Sequence, residues 1–182
     1  MTAAIVKHIT DTEPGTQVSK LDLVATPIAH LSGAEFLALR GVEPGTEPER
    51  QSVSDNAHLL EAFLAADTVV VGAPMYNFAL PTQLRAWLDL LAVPGKTFRY
   101  TETGAEGLLS GKKVIVASTR AGSTAKERHQ RPLIIRTYLR TFFGFLGIRE
   151  VTFVRAEGLG VGPEVRASAI EGALADVQRI AA

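Results

Sequence analysis

Short apolar runs alternate with longer segments of helical periodicity along this chain. Two of the runs, TVVVGA (68–73) and KVIVAS (113–118), are rich in β-branched residues and too apolar to alternate. Such runs are typical of parallel strands that are buried on both faces of a sheet. Two further segments have weaker strand patterns, so the sequence predicts four strands in all: 17–23, 68–73, 113–118 and 150–156.

The segments between these strands have the spacing and the end signals of helices. Ser32 and Glu35 have capping-box spacing and predict a short helix through Leu39, and Pro81 can serve as the first residue of another helix. The predicted helices are 3–9, 32–39, 51–66, 81–93, 133–147 and 163–180. Because strands alternate with helices, the pattern predicts an α/β fold with a parallel sheet.

One connection, residues 94–112, is unusually long. Connections within a domain usually have about 4–6 residues, and longer ones tend to be functional or disordered. A disordered linker has no need for its apolar residues, which include Phe98, Tyr100, Leu108 and Leu109. We therefore expect this connection to be an ordered loop that covers part of a binding site.

Composition narrows the classes of function. A chain of 182 residues that is 46% hydrophobic suits a single domain, 1–182. Formal net charge is zero, with 19 basic and 19 acidic residues and no block of like charge, which gives no case for nucleic acid or an anionic membrane as partner. The sequence contains no cysteine, so disulfides and thiolate nucleophiles are excluded, and we expect a cytoplasmic protein.

Several segments resemble functional motifs but lack residues that those motifs require. GLGVG (158–162) resembles a dinucleotide fingerprint, but the third glycine position is Pro163, so a loop before a proline-initiated helix is the better interpretation. SGKKV lacks the upstream glycine of a phosphate loop. The four histidines have no ligand spacing and no G-x-S-x-G motif exists, so we expect no metal and no catalytic side chain. Any reaction then belongs to a bound cofactor.

Two loops follow the two most apolar predicted strands. They are Pro74 to Pro81, with the sequence PMYNFALP, and residues 119–123, with the sequence TRAGS. Ligands of an open parallel sheet bind beyond the carboxyl ends of its strands. The backbone of the first loop is expected to lack ladder partners, and Asn77 offers a donor and an acceptor to the edge of a planar heterocycle. The alternative is that the aromatic residues of this loop simply pack on the helix that follows.

The stretch from Ala73 to Gly122 resembles the centre of the FMN-dependent NADH-azoreductase and quinone reductase family, whose fold is flavodoxin-like. The motifs P-M-Y-N-F, T-F-R-Y-T-E, G-L-L-x-G-K-K and YLRTFFGFLGI carry the resemblance, which extends more weakly from about residue 3 to the end. It implies an FMN-dependent oxidoreductase that passes hydride from NADH or NADPH to quinones and aromatic azo compounds by a ping-pong mechanism. It also implies a homodimer with its sites at the interface.

The resemblance assigns site residues in this sequence. The isoalloxazine ring of FMN would be held by two groups: Pro74, Met75, Tyr76, Asn77 and Phe78, and Ser118, Thr119, Arg120, Ala121 and Gly122. Arg120 would place a cation near negative charge that develops on the ring. Tyr100 would lie over or beside the flavin, where a flat substrate stacks, and Phe145 would come from the partner subunit.

The sequence also departs from the family. The second loop usually reads S-R-G-G, whereas Ala121 stands here at the third position, and 123–132 is unusually charged. A flavodoxin-like sheet has five strands ordered 2-1-3-4-5, with phosphate bound after the first. Residue 3 aligns with the middle of the first helix, so we expect the central strand and the Ser-rich phosphate loop to be absent and FMN to bind weakly.

Two alternatives to the enzyme remain open at this point. The first is a flavodoxin-like electron carrier without a substrate of its own, against which the aromatic connection 94–112 argues. The second is a shortened, cofactor-free homologue that acts in binding, and the missing phosphate loop favours it.

Overall fold

The computed structural model of the chain describes residues 1–122 and 133–180. Its helices are α1 (Thr2–Thr12), α2 (Gly33–Ala38), α3 (Glu47–Ala65), α4 (Thr82–Leu91), α5 (Leu133–Phe145) and α6 (Pro163–Val177). Its strands are β1 (Thr68–Pro74), β2 (Phe98–Thr101), β3 (Gly104–Gly107), β4 (Lys113–Thr119) and β5 (Glu150–Ala156). Among the described residues, no helix is both long enough and apolar enough to cross a membrane.

Three of the strands form a parallel sheet in the order β1-β4-β5. The pairing of β1 with β4 runs from Thr68 opposite Lys113 to Pro74 opposite Thr119, and β4 pairs with β5 in the same direction. Alternate residues of β4 enter two hydrophobic cores, because successive side chains of a strand point to opposite faces. Val114 and Val116 join the core on the side of α3, α4 and α5, whereas Ile115 and Ala117 join the core on the side of α1 and α6. The predicted α/β fold is thus confirmed.

The predicted strand 17–23 is wrong. These residues form no strand, and Val18 and Leu21 are 55% and 41% exposed. Asp22 Oδ1 accepts hydrogen bonds from the amides of Val24 (3.0 Å) and Ala25 (3.2 Å), which bends the chain into a local turn. No described strand lies along the free edge of β1, so the extended segment has no ladder to join. The parallel sheet of the described residues therefore has three strands instead of four.

The helix predicted at 51–66 begins earlier, at Glu47. Thr46 and Glu49 form a capping box, in which the Thr46 hydroxyl accepts from the Glu49 amide and the Glu49 carboxylate accepts from the Thr46 amide. Pro48 does not interrupt the helix, since a proline in the first turn removes no intrahelical hydrogen bond. The glycine and proline of the segment GTEPE (45–49) are typical of a turn, so the sequence pattern does not predict a helix that begins there.

The long connection 94–112 is not an open loop, because its centre is the antiparallel hairpin of β2 and β3. Buried Thr97 anchors the approach to the hairpin: its hydroxyl donates to the Leu91 carbonyl (2.8 Å) and accepts from the Val93 amide (2.9 Å). After the hairpin, the Leu109 amide donates to the Leu146 carbonyl (2.9 Å). The hairpin is therefore attached to the ends of both α4 and α5.

Lys112, in the motif that superficially resembles a phosphate loop, has a structural role. Its ammonium donates to the carbonyls of Leu64 (3.3 Å) and Ala66 at the end of α3. Burial lowers the pKa of Lys112, and nearby Asp67 opposes that shift. A cation at the C-terminal end of a helix also interacts favourably with the helix dipole, so this lysine stabilises α3.

Glu35 connects α2 to α3 from a buried position. One carboxylate oxygen accepts from the Ser52 hydroxyl (2.6 Å) and the Asn56 amide (2.8 Å), and the other accepts from the Ser32 backbone amide (2.8 Å). Burial alone would raise the pKa of Glu35, but the hydrogen bonds from Ser52, Ser32 and Asn56 outweigh it and lower the pKa.

We expect Glu35→Ala to lower the free energy of unfolding by about 1–3 kcal/mol at pH 7, because buried donors lose their acceptor. A carboxylate whose pKa is lowered on folding stabilises the protein above its unfolded pKa, and this contribution is lost as the pH falls through the folded value. Urea unfolding of both proteins at pH 7 and pH 3 measures the difference, which should shrink at pH 3. Glu61→Ala, an exposed change on α3, is the control, and an equal loss in both variants would contradict the prediction.

Candidate functional site

The pairing of β1 with β4 sets the two candidate loops side by side. Pro74 and Thr119 are the last paired residues of the two strands, and the Met75 amide donates to the Thr119 carbonyl (2.8 Å). Both loops therefore leave the sheet at the carboxyl ends of adjacent parallel strands. This is the position at which open α/β sheets bind ligands.

The first loop contains a tight turn with an uncommon backbone. The amide of Tyr76 donates to the carbonyl of Ala79 (3.0 Å), and the amide of Ala79 donates back to Tyr76 (2.9 Å). The expectation that this backbone lacks partners is therefore wrong for Met75, Tyr76 and Ala79. Between them, Asn77 and Phe78 have φ angles of 48° and 67°. Left-handed conformations outside glycine cost about 1–3 kcal/mol and concentrate at functional sites.

The side chains of this turn face outward. Tyr76 is 62% exposed and Phe78 is 53% exposed. Asn77 is also exposed, and its amide side chain makes no hydrogen bond among the described residues. Met75 is different, because it is half-buried against the core beside α4 and α5. Packing against the core thus accounts for Met75, whereas the ring of Tyr76 stays mostly exposed.

The second loop is fixed to the segment that follows β5. Arg120 donates from its amide to Ala156 (3.2 Å) and accepts at its carbonyl from Leu159 (3.1 Å). Gly160 and Gly158 likewise donate to the carbonyls of the two residues after Arg120. The GLGVG segment therefore supports this loop and leads into α6, whose first residue is Pro163, as its interpretation as a loop before a proline-initiated helix predicts.

Ala121, where the family usually has glycine, directs its methyl group toward the same segment. A Cβ added at Gly160 would lie 3.1 Å from the Cβ of Ala121. The amides of Ala121 and Gly122 donate to no acceptor in the part of the chain that the structure describes. These amides can therefore donate to a ligand beyond the sheet. The charged stretch 123–132 that follows lies outside the described residues.

Arg120 is the one basic residue in the sequences of the two loops, and 8% of its side chain is exposed. Its Nη2 donates to Glu157 Oε2 at 2.9 Å. The cation expected near a ligand is thus already paired with a carboxylate, which weakens its effect on charge outside the pair. The Nε of Arg120 is buried and has no hydrogen-bond partner among the residues that the structure describes.

Tyr100 and Phe145 meet through a third aromatic residue, Phe98. The ring centroids of Phe98 and Tyr100 are 5.4 Å apart with an angle of 88° between the planes, and those of Phe98 and Phe145 are 4.5 Å apart at 46°. Phe98 is buried, whereas Tyr100 is 69% exposed and Phe145 is 36% exposed. Within its own chain Phe145 contacts the hairpin, and its action from a partner subunit stays a prediction.

The residues of the two loops fit a flavin. Exposed rings of Tyr76 and Phe78 suit the faces of a planar heterocycle, and the side chain of Asn77 with the amides of Ala121 and Gly122 suits its polar edge. For a phosphate, the N-terminal end of α1 reaches the carboxyl end of β1, since a Cβ at Gly72 would lie 3.4 Å from the Thr2 methyl. The amides at a helix N-terminus favour anions.

Phe98, Arg155 and Glu157 also lie in this region. No sequence motif predicts a role for them, and Phe98 stands out in the sequence only as an aromatic residue of the long connection. Glu157 and Arg155 lie at the carboxyl end of β5, so the rule that selects the loops after β1 and β4 also applies to them.

Comparison with known proteins agrees with this geometry. The family described as having a flavodoxin-like fold matches residues 1–181. The FMN-dependent NADH:quinone oxidoreductase of Sinorhizobium fredii (strain NBRC 101917 / NGR234) is 52% identical over 178 residues, which cover 93% of this chain and 82% of that protein. The protein of the same name from Bradyrhizobium sp. (strain BTAi1 / ATCC BAA-1182) is 47% identical over 188 residues, covering 100% and 90%.

A solved structure extends the comparison to three dimensions. The crystal structure of an FMN-dependent NADH-azoreductase from Bacillus anthracis str. Ames Ancestor, in complex with FMN, has a TM-score of 0.83 and 25% identity, covering 98% of this chain and 88% of that one. Sequence motifs, sheet topology and relatives therefore agree, and the chain belongs to the family of FMN-dependent NADH:quinone oxidoreductases with a flavodoxin-like fold.

Proposed function

We propose that this chain is an FMN-dependent oxidoreductase that takes hydride from NADH and reduces quinones and aromatic azo compounds in two successive half-reactions. The observation that carries the proposal is the strained, outward-facing turn at Asn77 and Phe78 beside a second loop with available amides. The family relationship favours an enzyme over an electron carrier or a cofactor-free binding protein. Bound FMN supplies the hydride and electron transfer.

The chain itself supplies binding and orientation. We assign the flavin ring to Pro74, Met75, Tyr76, Asn77 and Phe78 on one side and to Ser118, Thr119, Arg120, Ala121 and Gly122 on the other. The two hydrogen bonds across the Tyr76–Ala79 turn hold the first group in place before any ligand arrives. Such preorganisation lowers the cost of ordering on binding. No side chain is assigned a role in proton transfer.

The aromatic surface of the hairpin and α5 is assigned to the electron acceptor. Tyr100 presents an exposed ring that rests on buried Phe98, and Phe145 lies on the other side of Phe98. A flat quinone or azo compound can stack on such rings. A homodimer is part of the proposal, since a second subunit would cover the exposed rings of Tyr76, Phe78, Tyr100 and Phe145. A cytoplasmic location is part of it as well, because NADH is the reductant.

Four measurements test the proposal on the purified chain after incubation with FMN. We expect NADH oxidation in excess FMN to depend on an added quinone, and part of the flavin absorbance to remain with the protein after gel filtration. Double-reciprocal plots at several quinone concentrations should give parallel lines, the signature of two separate half-reactions. Sedimentation should show a dimer. Protein that retains no FMN, or that retains it without NADH-dependent quinone reduction, would refute the enzyme assignment.

Asn77→Gly separates the side chain of the turn from its backbone. Glycine adopts a positive φ without steric cost, so thermal stability should be maintained or rise. Loss of the amide should weaken FMN binding by about 1–3 kcal/mol, because a polar edge of the ring loses its partner. Fluorescence titration with FMN measures this change. Asn77→Ala should lose similar affinity and also stability, and an unchanged FMN affinity in the folded glycine variant would contradict the role of Asn77.

A further inference from the structure

A small cavity of about 20 Å³ lies between the carboxyl ends of β4 and β5 and the beginning of α5. This is room for about one water molecule. Its charged lining residues are Arg120, Arg136, Arg155 and Glu157, and Met75 and Ser118 also contribute to the wall. The described lining thus contains three guanidinium groups and one carboxylate.

Glu157 cannot neutralise all three cations. Its Oε2 lies 2.9 Å from Arg120 Nη2, and its Oε1 lies 3.9 Å from Arg155 Nη1. Arg136 instead places its guanidinium carbon 5.9 Å from the centre of the Phe153 ring. Among the described residues, no carboxylate lies within ion-pair distance of Arg136. The described lining of the cavity therefore carries more positive than negative charge.

The Nε of Arg120 adds a second, independent observation. This side chain is 8% exposed, and its Nε is buried without a hydrogen-bond partner within residues 1–122 and 133–180. A buried polar group without a partner is costly, and more so when it is charged. Planar guanidinium donors match the oxygen atoms of carboxylates and other oxyanions. Arg120 and Arg136 both line the cavity, and an oxyanion there would offset the positive charge of the described lining.

We propose that the cavity binds one oxyanion group through Arg120 and Arg136. Its size admits one oxygen atom of a carboxylate, sulfonate or phosphate group and excludes an aromatic ring, so the rest of the ligand stays at the mouth of the cavity. Met75 and Ser118 belong to the residues assigned to the flavin. If the proposed function holds, the group is the acid substituent of an aromatic acceptor; a free inorganic oxyanion is the other source of the same chemistry.

The test is a thermal-shift titration of the FMN-incubated protein with benzoate and, separately, with inorganic phosphate at constant ionic strength. Saturable binding should raise Tm by about 3–5 °C at a concentration tenfold above the dissociation constant. Arg136→Gln should weaken that constant at least about tenfold, the loss expected for a hydrogen bond to a charged group. Arg149→Gln, an exposed change just before β5, should leave it within about twofold.

Glu157→Gln gives a gain of affinity that a damaged fold would not produce. Removing the carboxylate of the cavity should tighten anion binding several-fold, because Arg120 and Arg155 lose their competing partner. Saturation by benzoate assigns the site to organic acids, and saturation by phosphate alone assigns it to inorganic ions. No saturable shift with either, or equal shifts in wild type and both Arg136→Gln and Glu157→Gln, would overturn the inference. The titration measures Tm and not turnover, so the two proposals can fail separately. Quinone reduction without anion binding would contradict this inference alone. Anion binding without retained FMN would contradict the proposed function alone.

Discussion

Gly107→Ala is expected to destabilise the protein by at least about 4 kcal/mol, a loss found when a substitution breaks a specific structural contact. A Cβ at this position would lie 2.1 Å from the Gly147 nitrogen and 2.3 Å from the carbonyl carbon of Leu146. Both neighbours are backbone atoms, so no rotamer change relieves the overlap. The hairpin would have to separate from the end of α5 and would lose the hydrogen bond from Leu109 to Leu146 (2.9 Å).

The contact also depends on Gly147, whose φ of 96° lies in the left-handed region that favours glycine. Urea unfolding followed by circular dichroism gives the free energy of the variant. Gly144→Ala is the control, since a Cβ there meets no atom within 4 Å and alanine stabilises a helix interior by about 0.5–1 kcal/mol relative to glycine. A Gly107→Ala protein with wild-type stability would show that the hairpin does not dock closely on α5.

The parts of the fold that sequence predicts best are those in which one signal is strong and local. The apolar runs of β1 and β4 have few alternatives, because a run of β-branched residues buried on both faces suits a central parallel strand. Residues 17–23 contain only three apolar residues, Val18, Leu21 and Leu23, and a strand forms only where a neighbour supplies ladder hydrogen bonds. Here the turn at Asp22 is the stronger local preference. The hairpin of β2 and β3 could not be predicted from local sequence, because the segment GAEG has low strand propensity. The position of the hairpin depends on tertiary contacts with the end of α5.

The candidate site also has features that local sequence predicts and features that depend on the three-dimensional structure. Sequence could place Met75 beside Thr119, because parallel neighbours end at the same edge of a sheet. It could not show that Phe78 has a positive φ, since a bulky residue rarely adopts that conformation. The pairing of Arg120 with Glu157 was also hidden, because the two residues are 37 positions apart and meet only once β4 and β5 are in register.

Phe98→Ala is expected to lower the free energy of unfolding by about 3–5 kcal/mol, the usual cost of removing a buried phenylalanine ring. Phe98 is 4% exposed and belongs to the core that includes α4 and α5. It also supports the two outward rings of the proposed acceptor surface, Tyr100 at 5.4 Å and Phe145 at 4.5 Å between centroids. Each such aromatic pair contributes about 0.5–1.5 kcal/mol beyond the area it buries.

The same substitution should change the reaction selectively at a temperature at which the variant is folded. FMN affinity should stay near wild type, because the flavin is assigned to the loops after β1 and β4, while KM for quinones should rise as Tyr100 loses the ring it rests on. Tyr100→Ala is the matched control: this exposed side chain contributes little to stability, so KM should rise without a fall in Tm. Phe98→Leu, which refills most of the volume, should recover much of the stability but less of the quinone affinity. Loss of FMN from folded Phe98→Ala protein, with normal quinone kinetics after FMN is restored, would place the hairpin at the flavin and not at the acceptor.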